Sequence, residues 1–147
     1  MDPWINSFLQ HLIPTLLNRA NGHSLVENTG VVLGRFGFFS PRLVAPHLDK
    51  FAERWLEIMP RLPDNAEKES AYIGFCRIIG MNPNSLAPHF GAFCESITKL
   101  SNISPQLHEV LKQIVEMFRE AFGPRWTQLR DSYPQNVQQR LAMQFGI

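Results

Sequence analysis

The sequence predicts an all-α chain built from repeated helical hairpins, and three observations carry that expectation. The first is a recurrence. Residues 40–51 read SPRLVAPHLDKF and residues 82–93 read NPNSLAPHFGAF, so Pro41, Ala45, Pro46, His47 and Phe51 return as Pro83, Ala87, Pro88, His89 and Phe93, each 42 residues on. The same register maps Glu27 onto Glu69, Val31 onto Ile73 and Arg35 onto Arg77. The second is periodicity: apolar residues recur at helical spacing, and no alternating apolar–polar run is long enough for a strand. The third is punctuation. Asp2-Pro3, Ser40-Pro41, Asn82-Pro83 and Ser104-Pro105 each pair a capping side chain with proline at the first helical position. There the cap oxygen takes an orphan N–H and proline gives up one that would go unpaired. A period of roughly 40 residues with two helices per unit marks HEAT-type repeats. The expected fold is an α-solenoid of about three hairpins, over 3–39, 41–80 and 83–122, with a short helical C-terminal cap over 124–146.

Taken in order, the first helix is expected from about Pro3 to Asn18, with Trp4, Phe8, Leu12 and Leu16 or Leu17 on its apolar face and a kink at Pro14. Asn21-Gly22 breaks the chain. A second helix covers about Ser24 to Phe38 and packs through Val26, Val32, Leu33 and Phe36. The third, from about Pro41 to Met59, carries Leu43, Leu48, Phe51, Trp55 and Ile58. The fourth, from about Asn65 to Gly80, carries Tyr72, Phe75, Cys76 and Ile79, and Asp64 with Glu67 resembles a capping box at its start. The fifth spans about Pro83 to Leu100. The sixth spans about Pro105 to Phe122, with Leu107, Leu111, Ile114, Val115 and Phe118 inward. After Gly123-Pro124, two short helices (about Arg125 to Asp131 and Gln135 to Phe145) present Trp126, Leu129, Tyr133, Val137, Leu141 and Phe145 as the face of a terminal cap. Each repeat leaves one face apolar for its neighbour, so a solenoid needs such a cap. The amino-terminal end shows none, and the chain reads as the carboxy-terminal portion of a longer solenoid.

Composition narrows the function classes. With 44% hydrophobic and 18% charged residues the chain is folded rather than disordered. A net charge of +1 argues against a nucleic-acid surface, which carries a basic excess. No basic segment leads into an apolar core of a secretory signal, and no 18-residue apolar run suits a membrane span. Cys76 and Cys94 lack CxxC spacing and sit in apolar helical contexts, as reduced buried thiols of a cytosolic or nuclear protein do.

Candidate chemistry is sparse. His47 and His89 recur with the repeat, but metal binding needs ligands converging on one point, and no HxxxH or CxxC accompanies them. They read as packing or surface histidines after a kinking proline. Cys76 precedes Arg77 yet has no paired base. There is no GxSxG, GxxxxGK[ST], GxGxxG or HExxH motif, so no catalytic residue, metal or cofactor is expected. Gly30, Gly34 and Gly37 form a small-residue row suited to close helix–helix approach. If the second helix of each hairpin lines a binding surface, Glu27, Asn28, Val31 and Arg35 form one stripe, with Glu69, Ser70, Ile73 and Arg77 beside it. Carboxylates there would steer cationic segments and apolar notches would seat anchors, which suits an extended basic–hydrophobic peptide.

At ENTGVVLGRFG (Glu27 to Gly37) the sequence resembles the transportins, importin-β-like nuclear import receptors that recognise proline–tyrosine nuclear localisation signals. The resemblance continues in order through APHL from Ala45, NAEKESAYIGFC from Asn65, Met81 to Pro83, RWTQLRD around Trp126 and the ending RLAMQFGI. It implies a non-catalytic role in which the concave face of the last repeats holds the upstream, hydrophobic or basic part of a cargo signal. Val31 falls on the family's cargo-facing apolar position, and Glu27, Asn28 and Arg35 are its helical neighbours. Ile73 and Glu69 follow only from the repeat. The resemblance also implies Ran-GTP binding through amino-terminal repeats that this chain lacks, nucleoporin contacts of the full-length receptor, and shuttling between cytoplasm and nucleus. A HEAT-repeat scaffold segment that organises other proteins is the alternative.

Overall fold

The computed structural model describes residues 2–147, with side chains from Trp4 onward. The expected Asp2-Pro3 cap lies outside the described side chains. Ten α-helices follow in order: α1 (Asp2–Leu17), α2 (His23–Phe39), α3 (Pro41–Val44), α4 (Leu48–Ile58), α5 (Ala66–Met81), α6 (Pro83–Leu86), α7 (Phe90–Thr98), α8 (Pro105–Phe122), α9 (Trp126–Asp131) and α10 (Gln135–Phe145). No strand occurs among the described residues. The hairpins stack as an all-α solenoid in two layers. One is α1, α4, α7 and α10; the other is α2, α5 and α8.

The third and fifth expected helices are each broken. A 3-10 turn at Ala45–His47 separates α3 from α4, and Ala87–His89 separates α6 from α7. The cause is local. Pro46 and Pro88 have no N–H for an i→i−4 bond, and their rings meet the carbonyls of Arg42 and Asn84. The chain tightens for one turn, and His47 takes φ −100° and ψ 0° before α4 starts. Gly123-Pro124-Arg125 makes the same turn before α9. In all three the next residue is an apolar plug: Leu48, Phe90 and Trp126 are buried. By contrast α1 runs unbroken through Pro14. Pro14 and Gln10 are both exposed, so solvent reaches the Gln10 carbonyl that proline leaves unpaired.

The caps divide. Ser104 Oγ accepts from Leu107 N (3.1 Å) and Asn65 Oδ1 from Lys68 N (2.8 Å). Ser40 and Asn82 make no side-chain cap. Asn82 Nδ2 instead donates to Ala45 O of the preceding repeat at 2.7 Å. Asp64, expected to open the α5 capping box, stands one residue too early. Its carboxylate takes the Lys68 ammonium (2.8 Å) and, from the next loop, Ser101 N (3.0 Å) and Oγ (2.7 Å).

The core is aromatic at its centre. Trp55 stacks on Phe75 with centroids 4.0 Å apart and donates from Nε1 to Gly30 O at 2.8 Å. That single bond ties α4 to the middle of α2. The glycine row on α2 is the seam with α5. A Cβ at Gly34 would lie 2.7 Å from Ala71 Cα, and one at Gly74 would collide with Gly34 O, so the two backbones touch where side chains would separate them.

Arginines then join successive repeats. Arg77 of α5 donates to Phe38 O at 2.7 Å, Arg54 of α4 to Leu16 O at 3.4 Å, and Arg140 of α10 to Thr98 O. Each acceptor belongs to the last turn of the helix stacked before it, where unpaired carbonyls and the helix dipole favour a cation.

Two packing expectations fail, both at the amino-terminal hairpin. α1 faces the core with Leu9, Ile13 and Leu16, while Trp4 and Phe8 are 71% and 48% exposed. Val32 of α2 is 39% exposed rather than packed. The helical period of α1 admits two apolar stripes, and the one without Trp4 and Phe8 meets α2 and α4. At the other end α10 closes the stack. Val137, Leu141 and Phe145 are buried, His108 Nε2 hydrogen-bonds Gln144 O at 2.8 Å, and Arg130 donates to Ile147 O.

Candidate functional site

The candidate residues lie on neighbouring helices of one layer, Glu27, Asn28, Val31 and Arg35 on α2 and Glu69 and Ile73 on α5. On α2 the buried face is Val26, Thr29, Gly30, Leu33, Gly34 and Gly37, committed to the core and the α5 seam. Asn28, Val31 and Arg35 are spaced three and four apart, so they share a different face. Asn28 and Arg35 are exposed; Glu27 and Val31 are half-buried, Val31 lying against the edge of the core. None of the three polar side chains has a hydrogen bond or ion pair among the described residues.

The repeat equivalents on α5 are differently placed. Ile73 is only 6% exposed and offers a ligand little surface. Glu69 Oε1 accepts from Ser104 N at 2.6 Å, locking the start of α8. Arg77 is held by Phe38 O, with its guanidinium 4.1 Å above the Phe38 ring. The structure therefore brings Asn28, Val31 and Arg35 together as one free strip. It sets Glu69 and Ile73 apart, as parts of the stacking machinery.

Where α5 and α8 begin, a cavity opens at the loop edge, lined by Asp64, Lys68, Glu69, Tyr72, Ser101 and Ser104 among others. Lys68 is buried, and its ammonium donates to Leu62 O (2.7 Å) as well as to Asp64. Burial by itself would raise the Asp64 carboxyl, but the hydrogen bonds from Lys68 and Ser101 outweigh it and hold that carboxyl below its ordinary value. Tyr72 Oη and Ser96 Oγ share a 2.7 Å hydrogen bond behind it. No described buried side-chain polar atom lacks a partner. This cavity is a structural latch between loops; the sequence pointed to its Asp64 and Glu69, but not to Lys68 or Ser101.

Neither thiol is poised for chemistry: burial pushes Cys76 and Cys94 well above the usual thiol range. Desolvation, then the nearby Lys50 charge, lowers the His47 imidazole. No three His, Cys, Asp or Glu side chains converge as a metal site among the described residues, and no helix there is long and apolar enough to cross a membrane.

Sequence comparison decides the family. Human and mouse transportin-1 are each 32% identical to this chain over 149 residues, covering 100% of it. Importin subunit beta-2 of Schizosaccharomyces pombe is 34% identical over 123 residues, or 84% of it. The chain belongs to the transportin family. It spans 16% of the length of the human and mouse transportins and 14% of the fission yeast importin subunit. No protein-family model matches the chain.

Proposed function

We propose that this transportin segment is a non-catalytic binding module that holds part of a cargo's proline–tyrosine-type nuclear localisation signal along α2. The observation that carries the reading is the α2 strip. Asn28 and Arg35 make no hydrogen bond or ion pair among the described residues and Val31 stays half-buried at the edge of the core, while the α5 residues are consumed by stacking. An extended peptide would lay an apolar side chain against Val31 and place its polar backbone opposite Asn28. Glu27 and Arg35 supply one charge of each sign at the edges of the strip, so they orient a peptide more than they attract one. Glu69 and Ile73 would contribute only where the peptide runs on towards α5. Ran-GTP and nucleoporin binding would belong to the larger receptor, and the chain would share that receptor's passage between cytoplasm and nucleus.

An NMR titration tests the reading, using the isotope-labelled chain and the upstream half of a proline–tyrosine signal peptide. Shifts confined to residues 27–35 of α2, and lost on Val31→Asp, are expected. No shifts at millimolar peptide, or shifts indifferent to Val31→Asp, would refute it.

A further inference from the structure

Contact between two loops needs no cavity, yet the latch where α5 and α8 begin leaves one of about 360 Å³. That lies within the roughly 300–1,000 Å³ of ligand-sized sites. Its walls come from two stretches, Asp64 to Tyr72 and Leu100 to Leu107, in successive repeats away from both ends of the chain. Part of the wall suits an apolar body. Tyr72, Leu100 and Leu107 are buried there, and Ile103 is half-buried.

Two polar groups on the wall select the rest of the ligand. Lys68 is only 3% exposed, and of its three N–H donors Leu62 O and Asp64 take two. One donor of a buried ammonium is left for an acceptor in the cavity. Asn102 is exposed, and its carboxamide makes no hydrogen bond among the described residues. It offers donor and acceptor side by side, the complement of another amide. Charge selects against ions. A cation in the cavity meets Lys68, and an anion meets Asp64 and Glu69. All three are already engaged within the chain, so an ion would give up water and gain no free counter-charge. We propose that the cavity is a second binding site, which takes an uncharged peptide amide carrying an aliphatic side chain. One carbonyl accepts from Lys68, a peptide group pairs with Asn102, and the side chain lies on Leu100, Ile103 and Leu107. The site is separate from the α2 strip, and its test does not depend on peptide binding there.

The probe is N-acetyl-leucinamide, titrated at millimolar concentration into the isotope-labelled chain and followed by amide shifts. Saturable shifts are expected at Ala66, Lys68, Asn102 and Ile103, and none over 27–35. N-acetyl-leucine, which ends in a carboxylate, and leucinamide, which carries an ammonium, should each bind several-fold more weakly. Asn102→Gly removes the carboxamide and suits the left-handed backbone there, with φ 53°. It should weaken binding about three- to tenfold while the fold is kept. Ile103→Trp should fill the cavity and abolish the shifts, with far-UV circular dichroism unchanged. The absence of saturable shifts with N-acetyl-leucinamide overturns the proposal. Equal or tighter binding of either charged analogue overturns the selection for an uncharged ligand. Full binding in both Asn102→Gly and Ile103→Trp places the ligand outside this cavity and overturns the site.

Discussion

Adding one methyl group at Gly74 tests the α2–α5 seam more sharply than removing a large side chain does. A Cβ there would collide with Gly34 O and lie 2.7 Å from Phe38 N, both backbone atoms of α2. No rotamer change relieves such a clash; the helices must move apart. Overpacking a tight core costs about 1–3 kcal/mol, and a rigid backbone neighbour puts Gly74→Ala at the upper end, near ~3 kcal/mol. Alanine returns about 1 kcal/mol through helix propensity, which leaves a net loss of ~2 kcal/mol. Gly80 is the internal control. It lies on the same helix, and a Cβ there meets nothing within 4 Å. Gly80→Ala keeps only the propensity gain, roughly 0.5–1 kcal/mol. Urea denaturation followed by circular dichroism should therefore separate the two variants by about 3 kcal/mol with opposite signs relative to the parent. Equal or same-sign effects would show that the backbones are not in contact at this seam, and the close packing of α2 on α5 would fall with it.

Two further outcomes follow from the core and the loop latch. Trp55→Ala should cost about 3–5 kcal/mol, because it empties a fully buried site and strips the Phe75 stack and the bond to Gly30 O. Trp55→Phe should recover most of that, with the missing N–H worth about 1 kcal/mol, and a Trp55→Ala loss under ~1 kcal/mol would contradict the packing. Asp64→Asn should destabilise by about 1–2 kcal/mol at neutral pH, since Lys68 and Ser101 both lose a charged partner. The folded-state pKa of Asp64 is depressed from its ordinary 3.8, so its contribution is complete well above that value and disappears as pH falls through the lower folded-state value. Urea midpoints of parent and variant should converge in strong acid, and a gap that persists there would be inconsistent with the carboxylate's role.

Much of this architecture was legible because local and repeat signals agreed. Ser104-Pro105 opened α8 as expected, and Leu107, Leu111, Ile114, Val115 and Phe118 all turned inward. Period and capping pointed to the same face there. The glycine row on α2 was legible for the same reason. What could not be read was which of two apolar stripes on α1 would be covered. That depends on the neighbours α2 and α4, not on α1's own spacing. The breaks at Pro46 and Pro88 were signalled by the prolines but masked by the strong apolar period on both sides. Asp64 was misassigned because a carboxylate one residue before the cap looks like the cap; only the neighbouring loop, with Ser101 37 residues on, reveals its real partner.

Repeat equivalence also misleads about function, and the physical reason is general to stacked hairpins. Glu27, Val31 and Arg35 occupy the same register as Glu69, Ile73 and Arg77. Yet Glu69 holds Ser104 N, Ile73 is buried and Arg77 spans to Phe38 O. Each unit contacts only its neighbours, so a side chain's fate depends on what stands before and after its helix. Arg77 finds the last turn of α2 on its amino-terminal side. Arg35 has no described helix in that place and remains exposed. The identical residue is therefore exposed in one unit and a staple in the next. A binding surface on such a fold would have to use repeat positions that the stack leaves unspent, and the proposed peptide contact on α2 rests on Asn28 and Arg35 in that sense, with Val31 beside them at the edge of the core.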